Sequence, residues 1–289
     1  MNYDTLCLSG GGIMGLVHIG CLEYLEKNKK IKINNIKKYI GTSIGALICF
    51  LLSLKYSIYD IKIFLINFNF KFLEPDIDID ELLLNYGIDN GDKILYIISM
   101  FLNNKYNLNN LTFIEHYNLL NVKLSIVGSN YTLQREENFN YIETPNMSIL
   151  TALRISISVP ILFTPVLYNN MYYIDGGIYN NCPIKYCNLD TTLAINLLAL
   201  NNSNTNNIDN IVTYFITCIN LVLNNFYTLN KDHINIIKIN CNSLTNLTDF
   251  DLLEKEKNNF IKLGYEAGEK YINEISINKL DKKYKLKQD

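Results

Sequence analysis

The sequence predicts an α/β fold with a mainly parallel central sheet, flanking helices and a helical cap. The first observation is that a short strand, a glycine loop and a helix open the chain, followed by a second strand, a serine turn and an apolar helix. This alternation is typical of layered folds with parallel strands. The second observation is that residues 56–117 have a helical pattern without a strong strand, which indicates a cap or insertion.

The length of the chain, 289 residues, is enough for one large α/β domain or for two small ones. The sequence contains no internal repeat, and no linker divides it. We therefore predict a single domain over residues 1–289.

Local patterns predict the first elements. The strand Thr5–Ser9 leads into the glycine loop Gly10–Gly15, and the helix Leu16–Asn28 follows. The second strand is Ile36–Ile40. Residues Ile44–Leu54 are apolar on every side, which predicts a helix buried within the core.

The later elements are predicted in the same way. Phe163–Tyr168 and Met171–Asp175 flank Asn169-Asn170, a two-residue loop that favours a hairpin. The remaining predicted elements are the strands Lys123–Asn130, Thr191–Leu200 and Ile234–Ile239, the helix Ile208–Phe226 after a polar loop at 201–207, and a closing helix Leu252–Ile275 that leads into a lysine-rich tail ending at residue 289.

Composition argues against several classes of function. The formal net charge is −2, so there is no strong basic field, and we expect no binding to nucleic acid. The seven cysteines are scattered without CxxC pairs, and the three histidines lie far apart. Neither pattern is that of a disulfide framework or a metal site, so we expect no bound metal.

The N-terminus and the apolar runs bear on localisation. The sequence MNYDTLCLSGGG has neither a basic n-region nor a long apolar segment, and no apolar run reaches the ~18 residues of a membrane span. We therefore expect an intracellular, cytoplasmic protein without a signal peptide or a transmembrane segment.

The loop GGGIMG at residues 10–15 fits two kinds of site. Dinucleotide-binding folds use this G-x-G-x-x-G spacing, but they also place an acidic residue ~20 residues further on, after the second strand, where this chain has GTSIG. The other use is an oxyanion hole, in which the N–H groups of Gly10, Gly11 and Gly12 point at one spot. A plain tight turn would need a single glycine and would leave the others, including Gly15, unexplained.

The pentapeptide GTSIG at residues 41–45 is a G-x-S-x-G between a strand and an apolar helix. This is the context of a nucleophile elbow, in which Gly41 and Gly45 allow a sharp turn around Ser43. The helix N-terminus would also favour the negative charge that develops there. The alternative is a serine that caps the helix, and this motif alone supports both interpretations equally.

A nucleophilic Ser43 needs a proton acceptor, and one kind is a histidine that follows it in the chain. His233 comes late enough, but its surroundings, KDHIN, have no special feature. His18 lies in the first helix and His116 in the cap, so both are interpreted as packed residues.

The other acceptor is Asp175 in YIDGG, which ends a predicted strand. Gly176 and Gly177 would let its carboxylate approach another loop closely. An Asp before glycines is also common in ordinary turns, so the motif by itself leaves both interpretations open.

These motifs and their neighbours resemble the patatin-like phospholipase family. The resemblance rests on five blocks in family order over about residues 4–200: GGGIMG, GTSIG, ALRISISVP at 152–160, FTPV at 163–166, and YIDGG with Asn180, Asn181 and Pro183. It implies a three-layer patatin-like fold and a lipid acyl hydrolase of phospholipase A type. It also implies a Ser43–Asp175 dyad without histidine, an oxyanion hole at Gly10–Gly12, no cofactor, and a phospholipid or other acyl lipid as substrate.

Two positions depart from the family pattern. Met14 stands where the family usually has Arg or Lys, which removes an anion-binding charge beside the glycine loop. Ile44 stands where many relatives have Ala, and its larger side chain would narrow the acyl site.

Two other functions stay open at this point: a catalytically silent lipid-binding or scaffold protein on the same fold, and a nucleotide-binding α/β protein, which the missing acidic residue disfavours. Peripheral membrane contact is a further hypothesis, with a freely solvated tail as its alternative. It would use the cap phenylalanines and the tail lysines, namely Phe64, Phe68, Phe70 and Phe72, with Lys279, Lys282, Lys283, Lys285 and Lys287.

Overall fold

The computed structural model describes residues 3–74, 79–198, 214, 233, 235–241 and 251–285. The strands in this part of the chain are β1 (Thr5–Leu8), β2 (Lys38–Thr42), β3 (Gly87–Asp89), β4 (Lys123–Asn130), β5 (Arg135–Asn140), β6 (Ile161–Phe163), β7 (Val166–Tyr168), β8 (Met171–Asp175), β9 (Thr192–Leu198) and β10 (Ile236–Asn240). The helices are α1 (Gly15–Lys27), α2 (Ile44–Ser53), α3 (Ile58–Asn67), α4 (Ile79–Asn85), α5 (Asp92–Tyr106), α6 (Phe113–Leu120), α7 (Ile149–Ser156), α8 (Gly177–Asn180) and α9 (Glu254–Lys285).

The main sheet is built on five parallel strands in the order β10–β9–β1–β2–β4. β5 pairs with β4 in antiparallel orientation. The β7–β8 hairpin is also antiparallel and pairs with the last residues of β4. The fold is therefore α/β, with a mixed sheet in which parallel strands predominate, as the sequence predicts.

Both faces of the parallel strands are covered. Leu6 and Leu8 of β1 lie in the main core, which also holds residues of α1, α2 and α9. Cys7, between them, faces the other way and packs with Ile40 and Cys182 in a second buried cluster. Because successive side chains of a strand point to opposite faces, the two clusters lie on opposite sides of the sheet.

The N-terminal elements confirm the sequence prediction. β1, α1, β2 and α2 all occur in the predicted order, with bounds that differ from the prediction by only one or two residues at each end. β4 coincides with the predicted strand Lys123–Asn130. These elements are specified by local pattern, and the same stretch carries the glycine loop and the serine turn.

The cap is helical, but it contains a strand that the sequence pattern did not predict. β3 pairs in parallel with β6 in a separate two-stranded sheet. The predicted strand Phe163–Tyr168 is accordingly divided: Phe163 ends β6, and Val166 begins β7. Pro165 lies between them, and it has no N–H to donate to a strand ladder.

Some predicted elements lie beyond the described residues. The helix Ile208–Phe226 and the loop at 201–207 lie outside them, apart from Tyr214. The closing helix is present as α9 and extends to Lys285. In the described ranges no helix has an apolar stretch of the length needed to cross a bilayer.

Candidate active site

Ser43 occupies a strained turn between β2 and α2. Its backbone has φ 51° and ψ −126°, a region that residues with a side chain rarely adopt and that costs on the order of 1–3 kcal/mol. Two glycines make the turn sterically feasible. A Cβ on Gly41 would lie 2.5 Å from the carbonyl carbon of Gly45, and a Cβ on Gly45 would overlap the Leu8 carbonyl oxygen. This is the geometry expected of a nucleophile elbow.

The Ser43 side chain does not cap α2. Although Ser43 holds the N-cap position, its side chain makes no capping hydrogen bond. Its backbone N–H instead donates to the Ser156 Oγ at 2.8 Å, and the Ser156 hydroxyl donates to the Val127 carbonyl at 2.6 Å. The turn is thus held through the backbone, and the helix-cap interpretation of GTSIG does not describe this serine.

The pairing of β4 brings Ser43 and Asp175 to the same place. β2 pairs with β4 as far as Thr42, which lies opposite Val127, and β8 pairs with β4 from Asp175, which lies opposite Gly128. β5 occupies the other edge of β4 along both stretches, so β2 and β8 share one edge. Since Ser43 directly follows Thr42, the elbow and the end of β8 meet end to end.

The Asp175 carboxylate is buried beside this elbow. Its Oδ1 accepts a hydrogen bond of 2.7 Å from the Gly177 N–H, and its Oδ2 has no partner among the described residues. Burial raises the pKa of Asp175 to about 7, while the Gly177 N–H and the Ser43 hydroxyl act in the opposite direction. A Cβ on Gly176 would overlap the Val127 carbonyl oxygen, so this position needs glycine. A buried carboxylate with a raised pKa thus lies next to Ser43.

The glycine loop lies against the elbow, but its three amides differ. A Cβ on Gly10 would approach the Ser43 Cβ to 3.3 Å, and a Cβ on Gly15 would overlap the Ile44 side chain. The Gly10 N–H donates to the Asn181 carbonyl at 3.0 Å. Contrary to the prediction, this amide is therefore not free to donate to an oxyanion.

The two following amides, of Gly11 and Gly12, donate to no group in the part of the chain that the structure describes. Gly11 is half-buried and Gly12 is exposed, and Gly12 has φ 54°, which favours glycine. Met14, the departure from the family pattern, is buried in the main core. The loop therefore offers two amides to a ligand.

Each of the three histidines bonds to a residue other than Ser43. The His18 Nε2 lies 2.9 Å from the Ser9 carbonyl oxygen, which only accepts, so this nitrogen carries the proton and supports the residue before the glycine loop. Burial lowers the pKa of His18 to about 4. The His116 Nε2 bonds the Ser53 Oγ at 2.8 Å, and the His233 Nδ1 accepts from the Asn235 N–H at 3.2 Å.

Sequence reasoning did not assign the residues that hold the site together. Ser156 fixes the Ser43 N–H, and the Ser158 carbonyl accepts the Asp175 N–H at 2.8 Å. Both serines belong to the motif ALRISISVP, but their spacing does not show which strands they would meet. In the described residues no group of three His, Cys, Asp or Glu side chains could hold a metal ion.

Comparison with known proteins gives two viral relatives. The chain is 38% identical over 187 residues to the "Probable lipid hydrolase 463L" of Invertebrate iridescent virus 6, a match that covers 63% of this chain and 62% of that protein. It is 34% identical over 227 residues to the "Uncharacterized protein R571" of Acanthamoeba polyphaga mimivirus, covering 77% of this chain and 72% of that one. The first match thus spans less than two thirds of the relative.

Two solved structures share the fold. VipD from Legionella pneumophila superposes with a TM-score of 0.67 at 18% identity, over 95% of this chain and 67% of VipD. The type III effector protein ExoU superposes with a TM-score of 0.54 at 15% identity, over 95% of this chain and 53% of ExoU. The family model of patatin-like phospholipases matches residues 6–187, which hold the glycine loop, the elbow and Asp175. The chain therefore belongs to the patatin-like phospholipase family.

Proposed function

We propose that the chain is a lipid acyl hydrolase that cleaves acyl esters with Ser43 as nucleophile and Asp175 as general base. The observation that carries the proposal is the position of Ser43 on a strained elbow, beside a buried carboxylate with a pKa of about 7. The Ser43 side chain makes no capping hydrogen bond to α2. The family of the chain and the printed name of the iridescent-virus relative support a lipid substrate.

In the first half-reaction the Ser43 Oγ attacks the carbonyl carbon of the ester while Asp175 accepts its proton. The carbonyl oxygen becomes an oxyanion, to which the amides of Gly11 and Gly12 donate. Such donors each contribute roughly 10²–10³ in rate in known hydrolases. The intermediate then collapses, the leaving alcohol takes the proton from Asp175, and the acyl group stays on Ser43.

In the second half-reaction water replaces the alcohol. Asp175 accepts a proton from the water, whose oxygen attacks the acyl carbon. Collapse of the second oxyanion returns the proton to the Ser43 Oγ and releases the carboxylic acid. Each proton that Asp175 accepts is returned within the same half-reaction, so no third titratable group is needed.

The burial of Asp175 explains how a carboxylate serves as this base. An ordinary Asp, with a pKa of about 3.9, is a weak acceptor for a hydroxyl proton. Burial brings the pKa of Asp175 to about 7, where the group is both substantially ionised and much more basic at neutral pH.

The test of the proposed function is product analysis with covalent labelling. Vesicles of phosphatidylcholine incubated with the purified protein should yield free fatty acid and lysolipid, and a fluorophosphonate probe should attach to Ser43. A neutral acylglycerol in parallel tests whether buried Met14, in place of a cation, reduces the need for a phosphate headgroup. Binding of vesicles without product or labelling would instead support a silent lipid-binding protein.

Most of the phenylalanines predicted to contact a membrane are not exposed in the cap. Phe64 and Phe68 pack against each other with ring centroids 5.2 Å apart and ring planes inclined by 31°, and Phe70 is buried. Among the described residues, the exposed large apolar side chains of the cap are instead Phe72 of the predicted set together with Tyr59, Ile63, Leu83, Leu84, Tyr86, Tyr96, Met100 and Leu108. We propose that these side chains contact the lipid surface, since Tyr and aliphatic side chains suit a membrane interface. The side chains of the lysine tail lie outside the described part.

Leu83→Asp with Leu84→Asp is expected to weaken binding to anionic vesicles, because the two leucines are 70% and 74% exposed on α4 and contribute little to the core. Ile142→Asp with Leu167→Asp is the matched control, because it adds the same charge at side chains that are 67% and 60% exposed but lie outside the cap. Vesicle sedimentation measures the effect. Equal binding by the wild type and the cap variant would contradict a role of the cap in lipid contact.

A further inference from the structure

Arg154 is a buried cation at the junction between the cap and the candidate site. It lies on α7, is 6% exposed, and has no ion-pair partner within the described residues. Its Nε–H donates to the Asn90 carbonyl at 2.7 Å, and its Nη1 to the Ser158 Oγ at 2.5 Å. Its Nη2 donates to Thr164, at 2.9 Å to the carbonyl and 3.0 Å to the Oγ1. One guanidinium thus joins three separate segments.

The cap turn is shaped around this side chain. Gly91 has φ 74°, and a Cβ there would lie 2.5 Å from the Arg154 Nε. Burial lowers the pKa of Arg154, and the nearby carboxylates of Asp89 and Asp92 act in the opposite direction and favour its charge. The planar fork of an arginine can serve several acceptors at fixed angles, which the single ammonium of a lysine cannot do.

The segment that Arg154 holds, residues 156–158, is the one that accepts hydrogen bonds from the backbone N–H groups of both candidate catalytic residues. The Ser158 hydroxyl donates back to the Arg154 carbonyl at 2.6 Å, and the Ser158 carbonyl accepts the Asp175 N–H at 2.8 Å. Two residues earlier, the Ser156 Oγ accepts the Ser43 N–H. Residues 156–158 therefore fix the elbow on one side and the end of β8 on the other.

We propose that Arg154 is a positioning residue that ties the cap turn at Asn90 to Ser158, and thereby holds the backbone of Asp175 against Ser43. The inference rests on the proposed function of that pair. Arg154 acts through position, because its guanidinium bonds to Asn90, Ser158 and Thr164 and not to the Asp175 carboxylate. A displacement of the cap turn would therefore shift the Asp175 backbone through the hydrogen bonds of Arg154 and Ser158.

Arg154→Lys keeps the charge and removes the fork. We expect kcat to fall by about 10–100-fold with KM little changed, the scale of a displacement near 1 Å in a catalytic geometry. A looser Asp175 would be better hydrated, so the acidic limb of the kcat profile, set by a pKa of about 7, should move to lower pH. Amide hydrogen exchange at Asp175 should accelerate, which is a readout independent of activity.

Ser158→Ala and the double variant Arg154→Lys with Ser158→Ala test the link between Arg154 and Asp175 through Ser158. If Arg154 acts through Ser158, the double variant should lose no more activity than the worse single variant, since changes within one network are not additive. Lys257→Met is the matched control. Lys257 is also 6% exposed and fastens the cap to α9 through the carbonyls of Ile66 and Phe68, at 2.9 and 2.6 Å. This variant should lower the melting temperature without moving the pH limb.

The outcomes separate this inference from the proposed function. An active wild type with an Arg154→Lys variant of unchanged kcat, pH limb and exchange would overturn the positioning role and leave the hydrolase proposal intact. Fully additive losses in the double variant would also overturn it. If the wild type itself hydrolyses no lipid, faster exchange at Asp175 in Arg154→Lys still supports the structural link, whereas unchanged exchange contradicts it.

Discussion

Ser43→Ala is expected to abolish ester hydrolysis and fluorophosphonate labelling while the protein stays folded. Removing the nucleophile of a known serine hydrolase lowers kcat by on the order of 10⁶-fold, and the same scale applies if Ser43 forms the acyl-enzyme. The variant should fold because the backbone N–H of residue 43 still donates to the Ser156 Oγ, and because the deleted hydroxyl does not cap α2.

Ser129→Ala is the matched control for this variant. Ser129 is fully buried on β4, and its hydroxyl has no partner among the described residues, so its removal should leave the rate unchanged. Initial rates on a short-chain ester and circular dichroism compare the two proteins. Wild-type turnover by a folded Ser43→Ala variant would refute the nucleophile assignment.

The parts of the fold that the sequence predicts well are those in which neighbouring residues decide the structure. β1, the glycine loop, α1, β2, the elbow and α2 form one continuous alternation, in which glycines mark the turns and apolar runs mark the buried elements. The short strand β3 could not be predicted in this way, because it is defined by its pairing with β6, more than 70 residues later. The sequence pattern does not predict β5 either, because its sequence, REENFN, is mostly polar and only its last two residues are buried.

The same limit applies to the candidate site. The sequence identifies Ser43 and Asp175 as candidates because each lies in a local glycine-rich motif at the end of a predicted strand. It gives no sign that the Gly10 amide is engaged by Asn181, a residue 171 positions later in the chain. It also gives no role to Arg154, because the acceptors of its side chain come from the cap and from the loop before β7.

Asp175→Asn is expected to lower ester hydrolysis by roughly 10²–10⁴-fold, the usual contribution of a general base. The amide keeps the shape of the carboxylate, and its oxygen still accepts from the Gly177 N–H, but it cannot take the Ser43 proton. His233→Ala is the comparison, because the Nδ1 of His233 is bonded to the neighbouring Asn235 N–H. A folded His233→Ala variant without activity, beside an active Asp175→Asn, would replace the dyad with a histidine-assisted site.

The pH dependence of the wild type follows from the same group. Asp175 must be ionised to accept a proton, and its pKa is about 7, so kcat should fall as the pH is lowered through that value. The pKa values of His18 and His116 are near 4 because both are buried, so neither histidine would produce a limb there. A rate that stays constant between pH 8 and about 5 would contradict a buried Asp175 as the base.

Stability should change in the opposite direction to activity. Because the pKa of Asp175 is raised from 3.8 to about 7 on folding, the folded protein binds the proton more tightly, and the free energy of unfolding should decrease as the pH rises from about 4 to 7. Above that range the decrease in the free energy of unfolding approaches roughly 4 kcal/mol, since one pKa unit is worth about 1.4 kcal/mol. Asp175→Asn removes the ionisation, so this inactive variant should be more resistant to urea than the wild type at pH 8 and lose that advantage near pH 4. If Asp175→Asn is less stable than the wild type at pH 8, the buried ionised carboxylate of Asp175 does not destabilise the folded protein.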